Sequence, residues 1–198
     1  MSDPQPGSGV GIAARRPRRA APKRAATTPE AEPAFEVDLA AAFKLAMRRL
    51  AATVTIVTAG REGRRFGMAA TAVTSVTAAP PTLLICINRA ASIHDIIVDT
   101  GRYCVNILGT RHAGLVGPFG GGAKGEARFG HGAWSHRDGG MPYLDDAQAS
   151  LFCAVRQSVA YGSHSVLIGE VTSVRLSESV APLLYQDGGL AVSRALDP

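Results

Sequence analysis

At 198 residues the chain has room for one domain of ordinary size with an appendage, and two full domains would be cramped. A composition that is 46% hydrophobic with 22 Gly can bury a core, yet no apolar stretch nears the roughly 20 residues a membrane helix requires, so an integral membrane protein and a wholly disordered chain are both excluded. Lys plus Arg total 21 against 16 Asp plus Glu, but residues 1–34 carry a net +3 of the +5 excess, which leaves a nearly neutral body.

Residues 1–34 hold six of the twelve prolines and the cluster Arg15, Arg16, Arg18, Arg19, Lys23 and Arg24, without apolar periodicity. They are expected to be a disordered basic tail. The segment lacks the apolar run of a secretory signal, its prolines interrupt the amphipathic helix of a presequence, and no aromatic residues interleave with its arginines as in a nucleic-acid arm.

Order is expected from Phe35 onward. Leu39, Phe43, Met47 and Leu50 recur at helical spacing and mark one face of a helix. Thr53 to Thr58 alternates as a half-buried strand does, and Arg61 to Arg65 supplies the polar turn of a hairpin. Ala69 to Thr77 reads as one strand of small and β-branched residues, broken by Pro80-Pro81, and Thr82 to Asn88 as a central strand. Ser92-Ile93-His94-Asp95 fits a helix start with Ser92 as cap, for a short helix over 93–99 ended by Gly101. Tyr103 to Leu108 is a further strand. Residues 109–142, with 11 glycines, read as a long loop with one or two helical turns around 111–116. Gln148 to Tyr161 and His164 to Leu176 are two long strands joined by Gly162-Ser163.

Six or seven strands without a strand-helix-strand rhythm predict a mostly β, mostly antiparallel barrel with a few short helices. Gly7-Ser8-Gly9-Val10-Gly11 has the wrong spacing for a dinucleotide fingerprint, and Gly120 to Lys124 lacks the spacing and hydroxyl of a P-loop. Cys86, Cys104 and Cys153 lie in apolar runs without Cys-x-x-Cys spacing and are expected to be buried thiols of a reducing, cytoplasmic compartment. A zinc site using His131 or His136 has no supporting spacing, and no metal is expected.

Several segments in order, Gly67 to Thr77, Pro80-Pro81, Leu84 to Arg89 through His94, Tyr103 to Leu108, Phe119-Gly120, Arg128-Phe129, Gly162-Ser163-His164, Ile168 to Val171 and Pro182 to Tyr185, resemble the short-chain flavin reductase family. These are the reductase components of two-component flavin-dependent monooxygenases. The resemblance covers roughly residues 38–190. It implies an FMN-binding split barrel of Greek-key topology, a homodimer, and an enzyme that oxidises NADH or NADPH, reduces FMN or FAD, and releases the reduced flavin to a partner monooxygenase, with no nucleic acid or membrane as partner.

Because hydride transfer is the cofactors' own chemistry, the protein has to supply stacking, hydrogen bonds and anion binding rather than a nucleophile. The resemblance places Ala70, Thr71, Ala72, Ser75 and Val76 at the flavin ring, where small side chains admit the backbone; the same residues also simply suit a strand. The flavin phosphate needs N–H donors and positive charge, which the helix start at Ser92 offers with Asn88 and Arg89 just before it, the alternative being a plain helix cap and a solvated charge, and Ile87 is expected as a further cofactor contact. Lys124 and Arg128 would add positive charge, and Phe119 would either pack beside the flavin or anchor the loop. His164 would contact the nicotinamide without acid or base work. The chain departs from the family pattern at Ala69, at Ala90-Ala91 and at Gly189-Leu190, and the last weakens the expected hold on the nicotinamide donor. Two rival readings keep the fold: a tightly held flavin acting on another substrate, and a flavin-binding module without catalysis.

Overall fold

The computed structural model describes residues 38–137 and 139–196, so the tail expected over 1–34 lies outside the described residues. Helix α1 (Leu39–Met47) starts where the Asp38 carboxylate accepts the Ala40 N–H at 3.0 Å, and its last residues lead into the short strand β1 (Ala52–Thr53). The strands β2 (Thr55–Arg61) and β3 (Arg64–Ala70) form the expected hairpin, closed by Glu62 and Gly63, both at positive φ. Then follow β4 (Val73–Ala78), β5 (Pro81–Asn88), helix α2 (His94–Thr100) and β6 (Arg102–Ile107).

The glycine-rich stretch expected as loop contains helical turns, among them α3 (Ala113–Gly117), and a small hairpin of β7 (Trp134–Arg137) and β8 (Met141–Leu144). The long strands β9 (Ala149–Tyr161) and β10 (His164–Leu176) come next, and β11 (Leu183–Gln186) with β12 (Gly189–Val192) ends the described chain.

The main sheet has seven strands in the order β3-β2-β6-β9-β10-β5-β4, every pair antiparallel. β1, β11 and β12 form a separate three-stranded sheet. The seven-stranded sheet explains the first correction to the sequence reading. Residues 69–77 are not one strand, because β3 ends at Ala70 and β4 starts at Val73 on the opposite edge of the sheet. The Val73 N–H donates to the Thr71 carbonyl at 2.9 Å, a three-residue turn centred on Ala72. No Gly or Pro marks that turn, and small residues fit it as readily as they fit a strand.

The pleat sorts the core. Val57 and Ala59 of β2, Ile85 and Ile87 of β5, Tyr103 and Val105 of β6, and Leu167 of β10 pack with Ile93, Ile96 and Ile97 around α2. On the other face Ile56 packs with Leu108, Leu115, Phe119, Phe129 and Leu144 from the segment after β6. β2 is therefore buried on both faces from Thr55 to Gly60, not half-buried as its alternation predicts, and the hydroxyls of Thr55 and Thr58 are met by the Ala70 and Pro142 carbonyls.

Two further expectations change. Ser92 does not cap α2: Ile93 occupies that position in a helical conformation without a side-chain cap, and the His94 N–H turns back to the Ala91 carbonyl at 2.9 Å. The apolar face of α1 is exposed rather than packed on the body, with Leu39 at 82% and Phe43 at 61%. Cys104 and Cys153 are buried as expected while Cys86 is half-buried; burial pushes the Cys153 thiol up to about 12 against a lowering from Tyr103, and burial together with the Cys153 thiol pushes Cys104 up further.

Candidate active site

Part of the expected site, Thr71, Ala72, Ile87, Asn88, Arg89 and His164, gathers along the C-terminal half of β5. On one flank the Cys86 N–H donates to the Ala72 carbonyl at 3.1 Å, so the Thr71–Ala72 turn lies against the strand. On the other flank Val166 pairs with Cys86 and His164 with Asn88. One strand thus spaces the small-residue turn and His164 about 7 Å apart along its length, two residues of rise.

Beyond Asn88 the chain grips the β9–β10 turn. The Arg89 N–H donates to the Ser163 carbonyl at 2.9 Å, and the Arg89 guanidinium donates to the Gly162 carbonyl at 2.6 Å. Gly162 holds φ +55, a conformation that favours glycine. Ser163 Oγ lies 2.9 Å from His164 Nδ1, leaving the exposed Nε2 edge of that ring turned outward. Asn88 Oδ1 accepts the Ala90 N–H at 2.9 Å and fixes the bend after β5.

The turn is pinned from behind by a group that sequence reasoning missed. His94 Nε2 lies 2.9 Å from Ser165 Oγ, and His94 Nδ1 lies 2.8 Å from Asp95 Oδ1. The connectivity is that of a Ser-His-Asp triad, but Ser165 is 3% exposed and no substrate reaches it. Its work is to tie the start of α2 to the strand that carries His164. Nothing in a single sequence joins residues 71 positions apart.

The remaining expected residues divide. Thr71 and Ala72 line a cavity of about 780 Å³ with Phe43, Met47, Leu50 and Tyr185, within the size range of cofactor clefts. Ser75 faces a separate apolar cavity of about 370 Å³ with Val73, Thr77, Leu83 and Val105. Val76 is half-exposed at the register break of β4, Ala70 packs against the core, and Ile87 is fully buried, so it shapes the site only from beneath. Ser92 is exposed just past the Arg89 bend.

Phe119 is 2% exposed, with Phe129 at 5.3 Å and Trp134 at 5.2 Å between ring centroids, the arrangement of a loop anchor. Gly67 of β3 lies under these rings, and a Cβ there would come within 2.7 Å of Phe119. Arg128 donates to the Gly67 carbonyl at 2.5 Å and to the Ala123 carbonyl at 2.9 Å, so its guanidinium clamps the loop to β3. Lys124 is exposed at the foot of the glycine run. Among the described residues no three His, Cys, Asp or Glu side chains gather as metal ligands do.

Apolar walls and main-chain groups at an open turn can admit a flat ring, and the cleft lining holds no activated nucleophile. The comparisons with known proteins point the same way. Residues 47–193 match the family model described as flavin reductase like domain. The chain is 44% identical over 144 residues to an FMN reductase (NADH) RutF of Pseudomonas syringae pv. syringae (strain B728a), covering 73% of this chain and 81% of that protein. It is 40% identical over 147 residues to the reductase component of an FADH(2)-dependent resorcinol hydroxylase of Rhizobium sp. (strain MTP-10005), covering 73% and 82%. Among solved structures, the flavin reductase PheA2 superposes with a TM-score of 0.71 at 31% identity, covering 78% of this chain and 98% of that one. The flavin reductase domain protein of Arthrobacter sp. FB24 gives 0.74 at 28% identity, covering 80% and 98%.

Proposed function

The chain belongs to the flavin reductase like domain family, and from that membership we propose how its own residues carry an NADH-dependent reduction of FMN or FAD whose product serves a partner oxygenase. The observation that carries the reading is the sharing of β5 by the Thr71–Ala72 turn and the His164 turn, which puts an acceptor cleft and a donor contact side by side.

Bound flavin supplies the redox chemistry, accepting a hydride from the nicotinamide. The protein binds and orients. Thr71 and Ala72 offer main-chain groups at the cleft wall, and their small side chains let a ring approach. Ala70 and Ile87 support that edge from the core, whereas Ser75, at the separate cavity, and Val76, at the β4 register break, stand apart from the cleft lining. Asn88, Arg89 and Ser92 cluster at the bend after β5 and suit the phosphate, with Lys124 as a second cation. Arg89 keeps further N–H donors while one guanidinium nitrogen holds Gly162. Arg128 and Phe119 act indirectly by fixing the loop. His164 presents its ring to the nicotinamide.

Two properties of the whole molecule complete the reading. The seven-stranded sheet is a split barrel, its two edges being consecutive strands joined by the Thr71–Ala72 turn. The chain works as a cytoplasmic homodimer: exposed Leu39, Phe43, Met47 and Leu50 give it an apolar surface for a second copy, and its three cysteines are free thiols.

Steady-state oxidation of NADH and NADPH, each with FMN and with FAD, tests the function. Turnover with either flavin is the expected result. A protein that oxidises neither nucleotide is not a reductase, and one that retains flavin through dialysis holds it as a prosthetic group rather than releasing it.

A further inference from the structure

Tyr161 is 83% exposed, the most exposed aromatic side chain among the described residues. It closes β9 directly opposite His164, and His164 in turn stands opposite Asn88. Directly paired residues of antiparallel strands point to the same face, so Tyr161, His164 and Asn88 form one row across β9, β10 and β5. At the spacing of neighbouring strands, Tyr161 lies about 5 Å beyond His164, on the side away from the Thr71–Ala72 cleft.

The backbone under this ring is well held. The Gly162 and Ser163 carbonyls are bonded by Arg89, and Ser165 is bonded by His94. A fixed backbone carrying an unpacked aromatic ring is a ready stacking surface with only two side-chain torsions to order.

We propose that Tyr161 is the stacking platform for the adenine ring of the nicotinamide dinucleotide donor. This rests on the proposed function, in which His164 marks the nicotinamide. With that ring held between the cleft and His164, Tyr161 is the next side chain in the row on the side away from the cleft, within reach of the adenosine half. Adenine offers the flat π-face that an exposed phenol ring recognises, whereas the nicotinamide-ribose-phosphate half is already committed to the cleft. FAD carries the same adenine, so the donor and the acceptor have to be separated by experiment.

The test is steady-state kinetics of the full chain and its Tyr161→Ser and Tyr161→Trp variants. The donors are NADH and reduced nicotinamide mononucleotide, which lacks adenosine, and the acceptors are FMN and FAD. With FMN, Tyr161→Ser is expected to raise KM for NADH about tenfold, the effect of losing one base stack. Its kcat and its KM for the mononucleotide stay unchanged, and Tyr161→Trp restores the NADH value. An unchanged KM for NADH in Tyr161→Ser overturns the proposal, as does an equal rise for NADH and the mononucleotide. A rise confined to KM for FAD assigns the ring to the flavin's adenine and overturns it likewise. The underlying donor reading fails by a different result, a wild-type protein that oxidises no reduced nicotinamide, and that result removes the proposal with it.

Discussion

Tyr103 and Gly169 are made for each other at the centre of the sheet. The phenol ring is fully buried, its hydroxyl has no hydrogen-bond partner, and a Cβ on Gly169 would lie 2.1 Å from that hydroxyl. Burial first, and then the Cys153 thiol, pushes the phenol far above its ordinary range, so it stays neutral. Gly169→Ala is expected to cost about 1–3 kcal/mol by overpacking, read as a lower midpoint in chemical denaturation. Tyr103→Phe, which deletes a buried group without a partner, should leave stability unchanged or higher and soften the Gly169→Ala defect.

Asp146 gives a pH-dependent counterpart. The Gly109 N–H donates to His112 Nδ1, so Nε2 carries the proton and donates to Asp146 Oδ1 at 3.0 Å, with Arg111 Nε 3.1 Å from the other oxygen. Desolvation raises the carboxyl, but the His112 hydrogen bond and the Arg111 charge outweigh it and hold the group below its ordinary value. A depressed folded value stabilises above the unfolded one, near pH 4, and that contribution is lost as pH falls through the folded value. The stability gap between wild type and Asp146→Asn should therefore be full above about pH 5 and shrink towards pH 3. Its size stays under about 1 kcal/mol because the carboxyl is half exposed and screened.

Pattern reasoning reached few of these partnerships. Asn106 sits inside an apolar strand run, yet it donates to the Ile56 carbonyl and accepts from the Leu144 N–H, contacts 50 and 38 residues away. A polar residue in such a run signals that a partner exists, and only the fold says which.

Among the elements, the segment from Phe119 to Phe129 is anchored at both ends. Its glycine run is exposed, while Phe119, Phe129 and Trp134 pack edge to face and Arg128 ties it to β3. Glu126 adds a second tie, accepting the Arg65 N–H at 2.7 Å and the Arg65 Nε–H at 2.8 Å. Arg128→Met is expected to open the segment to limited proteolysis within Gly120–Gly122 while lowering stability by about 1–3 kcal/mol. Unchanged cleavage would mean the aromatic rings suffice alone.

Elements with strong periodicity were legible: β5, β9 and β10 lie within two residues of their expected bounds, because alternation and the Gly162-Ser163 turn leave little choice. The division between β3 and β4 was not legible, nor were the short strands β7, β8, β11 and β12. Strands of four residues carry too few alternations to stand out, and their pairing is set by tertiary contacts.

At the scale of the whole molecule, the apolar residues that helix periodicity picked out on α1 stay largely exposed, Phe43 and Met47 only walling the open cavity beside Thr71 and Tyr185. The spacing was right, and the sequence does not say what covers that face. Light scattering is expected to give twice the 20.5 kDa chain mass, and Phe43→Asp with Met47→Asp should return the protein to the single-chain value. A wild-type mass of one chain would leave that surface without the second copy assigned to it.

The Thr71–Ala72 junction has one more implication. The strands it joins, β3 and β4, exchange no ladder bonds with each other, so something sliding in or out between them ruptures no backbone pairing. Entry and exit then cost only the guest's own contacts, which is what a carrier demands when its cargo must depart after every turnover instead of staying put.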